Sequence, residues 1–463
     1  MWVGGMKEKL GLAVLAILYL LSFVYKGRGQ MEKWGENVME GAFFQGGYGM
    51  EWLFDAGKEF EQAHPDIKAY IWGNPRVWDQ TRTRFLAGNP PDVFWGIHNI
   101  NIWVNLEDSL VACLDSLMEA PAYGQEDRTF RETFLPGALD RGQYEGRQYF
   151  LPITFSVLGL WYNANMFEEH GWTPPATWDE FLALCEQIKA VGVAPIVHQG
   201  RYPSYYAILF RALLYKIGGY RLLVDLDNLE PGGWERPEVI QAARMCRELL
   251  DRGYILEGSS AFTHTEAQMV WLQGKAAMVP CGTWLENEMK ESIPAGFRMR
   301  IMPLPAVPGG IGSAAAIEGS AGADLWVPAQ ARHAAWGMEY LRILFSKKMA
   351  QNFVRKIGDI MPIQSATEGI KLPESLQSAV EAVQAAGREI FYMRYTDWYE
   401  QMEDEGKNAM AALLYEDLSP EKFAERLEAA AERTRQDRSI RKYHRTLPRT
   451  ALSSGAERLK AGG

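Results

Sequence analysis

The chain has 463 residues, 47% of them hydrophobic and 23% charged, which is enough apolar material to bury a core and excludes a disordered polymer. Single cores stop growing beyond roughly 250 to 300 residues, so two or more lobes are expected. Lys plus Arg total 48 against 58 Asp plus Glu, a formal net charge of −10 that argues against a nucleic-acid partner.

The first segment reads as a targeting signal. Lys7 and Lys9 precede an apolar run over 10–25, and Lys26 and Arg28 follow it, the basic, apolar, polar order of export. The run is short for a spanning helix of about 20 residues and long for a signal core of about 7 to 15. Residues 1–30 are therefore expected to be a signal peptide or an N-terminal membrane anchor. No Ala-x-Ala site follows, so cleavage and retention both stay open. A buried helix of the domain itself is the alternative, and no amphipathic pattern supports it.

A β-α-β unit comes next. The stretch 41–47 is a short apolar strand closed by glycines. Residues 50–64 carry Trp52, Leu53, Ala56, Phe60 and Ala63 at helical spacing, and His64, Pro65 and Asp66 end that helix before a strand over 67–72. Beyond it, strand-like runs (92–95, 158–162, 194–198, 276–280, 324–327) alternate with helical ones (178–191, 237–252, 331–345, 373–391, 420–435). Alternation of this kind implies an α/β architecture with mainly parallel sheets. Thr177 with Glu180 forms a capping box at the head of the helix containing Phe181 and Leu184. The chain after Arg441, basic and ending in Ser, Gly and Ala, is expected to form a flexible tail over 441–463.

Cys113, Cys185, Cys246 and Cys281 are widely spaced, without a C-x-x-C pair or a Cys/His cluster, so neither a metal nor a redox centre is indicated. A disulfide stays open, although buried thiols are the commoner reading of such contexts. The compositional anomaly is 16 Trp and 20 Tyr, many beside Gly or Pro at strand ends. Loops at strand ends are where open α/β sheets bind ligands. A flat ring also matches the apolar face of a pyranose, whereas any one aromatic taken alone is more often core.

Several motifs, in order, carry a family resemblance: Gly57-Lys58-Glu59-Phe60-Glu61 with His64-Pro65-Asp66-Ile67; Ala87-Gly88-Asn89-Pro90-Pro91-Asp92-Val93; Leu151-Pro152 through Leu160-Trp161-Tyr162-Asn163; Pro175-Ala176-Thr177-Trp178-Asp179-Glu180-Phe181; and Gly274-Lys275-Ala276-Ala277-Met278 through Gly282-Thr283-Trp284. Over roughly 40–440 the chain resembles the carbohydrate-binding proteins of bacterial ABC importers, the extracellular solute-binding family 1, which is maltose-binding-protein-like. The resemblance implies a two-lobed periplasmic-binding-protein fold (type II), with hinged lobes and a central ligand cleft. Lobe one would combine 40–150 with 309–345 and lobe two 160–300 with 355–440, the chain crossing between them near 151–159, 303–308 and 345–354.

Carried over residue by residue, the family's stacking tryptophans match Trp95, Trp284 and Trp398, the last followed by Tyr399. The loop from Gln45 to Tyr48 matches a stretch that supplies polar contacts, with Gly46 and Gly47 replacing a charged pair. The polar cluster after Trp95 becomes His98 and Asn99, a hinge carboxylate falls on Ser156, and Tyr202 and Tyr205 occupy the aromatic loop of lobe two. The expected function is capture of a sugar and its delivery to ABC importer permease subunits outside the cytoplasm, by a monomer that needs no cofactor or metal. The family's lipoproteins carry a cysteine just after the apolar segment. The first cysteine here is Cys113, so contact with the cell membrane would fall to the N-terminal segment itself, or the protein is released. Two alternatives stay open: a non-sugar solute on the same fold, and a glycoside hydrolase using carboxylates such as Asp324, Asp397, Glu266 or Glu286. No spacing reveals the fixed pair that hydrolysis needs, and no catalytic motif is present, so no enzymatic activity is expected.

Overall fold

The computed structural model describes residues 37–46, 48–96, 109–135 and 137–447. The expected N-terminal signal, His98 and Asn99 lie outside the described residues.

The β-α-β unit takes the form its pattern dictates. Strand Val38–Phe44 lies between Lys68–Asn74 and Val93–Trp95, all parallel, with Gly41 opposite Ile71 on one side and Val93 on the other. Helix Glu51–Ala63 crosses over and buries Trp52, Leu53, Ala56 and Phe60, the face spaced three and four residues apart. Helices Ala334–Leu344 and Lys347–Ile357 complete this lobe against it, Phe353 meeting Trp52 edge-on at 4.9 Å.

The chain leaves the lobe along a single strand, Leu151–Asn163, all thirteen residues of which are buried. Its side chains alternate as a strand's must. Ile153, Phe155, Val157 and Trp161 join the core that holds Trp52, while Leu160 and Tyr162 join a second core with Phe181, Leu213 and Trp234. Its first half pairs antiparallel with Ile317–Leu325, from Leu151 opposite Leu325 to Leu158 opposite Glu318. The second half pairs with Ala276–Gly282 on one edge and with Met299–Met302 over its last four residues. Ala194–Ile196 extends that sheet in parallel, and helices Trp178–Ala190, Pro203–Asp227, Pro237–Asp251, Glu400–Tyr415 and Pro420–Gln436 pack around it. The capping box at Thr177 is complete, with Glu180 Oε2 accepting the Thr177 N–H at 3.1 Å.

Two of the three expected crossings lie elsewhere. Residues 303–308 do not leave the second lobe, because Trp178 N donates to Ala306 O at 2.9 Å and Gly312 N to Lys216 O at 3.0 Å. The return is made by Ile317–Leu325, which begins beside Ile390–Phe391 and ends where Trp326 exchanges backbone hydrogen bonds with Phe94. The third crossing falls after, not within, 345–354: Leu135 N still reaches Pro362 O and Gln364 N reaches Thr133 O, whereas Ser378 already binds Ile301 of the second lobe.

All four cysteines are free, and Cys185, Cys246 and Cys281 are buried. Residues 441–447 of the expected flexible tail pack against the second lobe. Tyr443 stacks on Trp398 at 5.4 Å, and Arg445 is buried with Nη1 2.6 Å from the carboxylate of Asp227, itself fully buried. Burial pushes the Asp227 carboxyl up, and Arg445 with the backbone N–H groups of Arg394 and Tyr395 holds it back. Arg445→Ala strands that carboxylate and is expected to cost about 3 to 5 kcal/mol; urea melts of the two proteins measure it.

Candidate binding cleft

A cavity of about 370 Å³ lies on the second lobe beside the hinge strands, with Arg141 of the first lobe at its border. One wall is aromatic. Strand Ala276–Gly282 ends at a glycine for a steric reason: a Cβ on Gly282 would sit 2.1 Å from the ring of Trp284, which folds back over the strand end. Trp284, partly buried, meets Tyr205 edge-on at 6.4 Å, and both line the cavity. Tyr205 in turn lies parallel to His264 at 6.4 Å, with the exposed Tyr202 edge-on to the same imidazole at 5.5 Å.

Among apolar neighbours such as Phe210, Met410 and Phe423, the lining also holds charged side chains in pairs. Arg211, on helix Pro203–Asp227, donates Nε to Glu318 Oε1 at 2.6 Å. Arg141 holds Asp397 at 3.2 Å and stands 3.9 Å from Asp324. Burial pushes the carboxyls of Glu318 and Asp324 up, and the neighbouring guanidinium opposes the shift in each case. For Arg141 burial works against the charge, but Asp397 and Asp324 outweigh it and raise its pKa. Arg141 comes from the first lobe and Asp397 from the second, so that ion pair spans the cleft.

A second link crosses beside it. Tyr48, on the loop after the first strand, donates its hydroxyl to Asp359 Oδ2 at 3.0 Å, and Thr283 Oγ1 lies 3.5 Å from Asp359 Oδ1. Burial, then Asp359, pushes the Tyr48 phenol up; burial likewise raises Asp359, against the Ile360 N–H and the Tyr48 hydroxyl.

The expected site residues separate into groups. Trp284 and Tyr205 line the cavity, Tyr202 is not in the lining and meets only His264 among the described rings, and Tyr48 joins the second cross-cleft link. Gln45 is exposed, bound to Asn74 through its backbone N–H alone among the described contacts. Trp95 and Trp398 are not open platforms. Trp95 is 1% exposed, enclosed by Phe44, Trp52 and Tyr48. Trp398 is 6% exposed beneath Tyr443, and Tyr399 beside it is buried and accepts the Tyr443 N–H at 2.9 Å. Sequence reasoning missed Arg141, Arg211, Glu318 and Asp359. The available signal was Arg211 itself, a lone charge in the apolar run 205–214. Among the described residues no group of three or more His, Cys, Asp or Glu side chains is arranged to hold a metal ion, and no helix is long and apolar enough to cross a membrane.

The family of bacterial extracellular solute-binding proteins matches residues 55–384. The diacetylchitobiose binding protein NgcE of Streptomyces coelicolor is 30% identical over 415 residues, covering 88% of this chain and 87% of that protein. The multiple sugar-binding protein of Streptococcus mutans is 22% identical over 320 residues, 68% of this chain and 73% of its own. Among solved structures, the apo form of RafE from Streptococcus pneumoniae superposes with a TM-score of 0.69 at 19% identity, covering 86% of this chain and 98% of that one. The chain belongs to the bacterial extracellular solute-binding proteins, and its fold is the two-lobed α/β fold of those neighbours.

The burial difference between the tryptophans has a measurable consequence. Trp95→Ala empties a closed core site and is expected to cost about 3 to 5 kcal/mol. Trp284→Ala opens onto the cavity and is expected to cost clearly less. Paired denaturant melts compare them, and equal losses would overturn the assignment of one ring to core and the other to cleft.

Proposed function

We propose that this solute-binding protein captures a saccharide between its lobes outside the cytoplasm and presents it to the permease of an ABC importer. The observation that carries the reading is the corner formed by Trp284 and Tyr205 beside the Arg211–Glu318 and Arg141–Asp397 pairs. A partly exposed ring offers an apolar face to a pyranose, and planar charged groups at its edge can bind the hydroxyls. The sugar-binding names of NgcE and of the Streptococcus mutans protein, both similar along most of this chain, support it, and NgcE makes N,N′-diacetylchitobiose the first ligand to try. The N-terminal apolar segment is proposed to export the chain and to supply its contact with the membrane, and the protein is proposed to act as a monomer.

The reading is of binding without turnover. Asp324 and Asp397 share Arg141, Glu266 closes a capping box by accepting the Thr263 N–H at 2.8 Å, and Glu286 accepts from Ser375. Each carboxylate weighed for hydrolysis is thus engaged by a neighbour instead of forming a free acid and base couple.

A thermal-shift screen of mono- and oligosaccharides tests the reading. A ligand at a hundred times its dissociation constant adds about 2.7 kcal/mol, and chromatography should recover it chemically unchanged. Trp284→Ala is expected to weaken that ligand tenfold or more. The reading fails if no saccharide shifts the melt, or if the sugar is cleaved at a rate abolished by Asp397→Asn.

A further inference from the structure

One carboxylate at the floor of the cleft has more hydrogen-bonding capacity than the protein uses. Glu318 lies on the return strand, opposite Leu158, where Leu158 also pairs with Gly282. It lines the cavity. Arg211 occupies Oε1, whereas Oε2 is buried with no hydrogen-bond partner among the described residues, and the whole residue is 5% exposed. The other carboxylates of the lining differ: both oxygens of Asp397 face Arg141, and Glu403, 2.7 Å from Lys407, is open to water. Asp324 also has an oxygen without a partner, but it stands behind Arg141 and does not line the cavity.

A buried acceptor without a donor is costly, and a buried ion pair is poor evidence of a purely stabilising role, since apolar residues of similar volume serve as well or better. A ligand that brings a donor removes the deficit. A ligand that brings a carboxylate sets acceptor against acceptor in a poorly screened site, leaving both oxygens without a donor. Sites built this way discriminate strongly, because the wrong ligand leaves a buried polar group unpaired.

We propose that Glu318 is the specificity-determining acceptor of the cleft, taking a hydrogen bond from a hydroxyl or amide N–H of the bound sugar and selecting neutral saccharides over acidic ones. Arg211 positions it. The inference rests on the saccharide reading above and adds a chemical class to it.

Isothermal titration of the purified protein tests it, with N,N′-diacetylchitobiose and raffinose as neutral probes and digalacturonic acid as the acidic one. The wild-type protein should bind at least one neutral probe, and the acidic probe at least tenfold more weakly. In Glu318→Gln, Arg211 draws the amide oxygen and the NH2 group then faces the ligand's donor. Neutral binding should fall at least tenfold, and the preference over the acidic probe should shrink. The double variant R211Q/E318Q removes both buried charges and should show the same loss, so that a stranded arginine is not its cause; ligand-free melts confirm that each variant is folded. Folded variants that keep the wild-type affinity and preference overturn the assignment, as does a wild-type protein that binds the acidic probe as tightly as the neutral ones. If the wild-type protein binds no saccharide, the saccharide reading itself falls and the inference with it.

Discussion

The antiparallel pairing of Leu151–Asn163 with Ile317–Leu325 is the constraint on which the rest of the molecule depends. At about 3.3 Å per residue, thirteen residues span roughly 43 Å, enough for one strand to serve both lobes. Its register is strongly fixed, because a slip of one residue would exchange Ile153, Phe155 and Val157 in one core for Thr154 and Ser156. That register sets Glu318 opposite Leu158, where the lobes meet and where Ala276–Gly282 ends. The position of the aromatic wall and of the charged floor therefore follows from a single ladder, with Trp284 two residues beyond its partner strand.

A carboxylate on a buried strand needs a counter-ion, and here that requirement ties the hinge to a helix. Arg211 reaches Glu318 from Pro203–Asp227, the same helix whose first turn carries Tyr205. The helix cannot slide without separating the ion pair or moving Tyr205 away from Trp284. Stability alone is a weak reason for such an arrangement, since desolvating two charges offsets most of their attraction. Orientation is a stronger one: the pair fixes where a fork of donors and a carboxylate face the cavity, and it does so before any ligand arrives.

The local parts of this design are legible in the sequence. Period and breakers identify the β-α-β unit around Trp52 and Phe60. Thr177 and Glu180 announce their helix, and Gly282 places Trp284 beyond a strand end. The non-local parts are not. The proline-rich stretch 303–308 is expected to be a crossing, but whether the chain there changes lobe depends on Ala306 meeting Trp178, 128 positions away in sequence. Trp398 sits beside polar residues as a binding-site ring would, yet Tyr443, returning from the C-terminal segment, stacks on it beside Arg394 and Tyr399 and makes it core. Glu318 and Arg211 lie in separate segments, neither of them a motif, and gain meaning only through the register of the hinge strands.

Cleft closure depends on the same contacts. The lobes share continuous strands, so their relative motion is confined to the hinge, and away from it the polar links between them include Arg141 with Asp397, Asp359 with Thr283, Arg394 with the Asp140 carbonyl and Arg441 with Glu145. The second is long at 3.5 Å, and an ordinary hydrogen bond contributes only about 1 kcal/mol net. Links of this strength favour approach of the lobes without locking them, which a receptor that must also release its cargo requires. A ligand can shift such an equilibrium only by its differential affinity for the two arrangements. The groups able to supply that difference are those from opposite lobes that border one cavity: Arg141 on the first, and Tyr205, Trp284 and Asp397 on the second. Glu318, on the strand that joins them, belongs to the hinge and not to either moving face. It is therefore suited to deciding which ligand enters, while Arg141 and Trp284 are suited to sensing that one has.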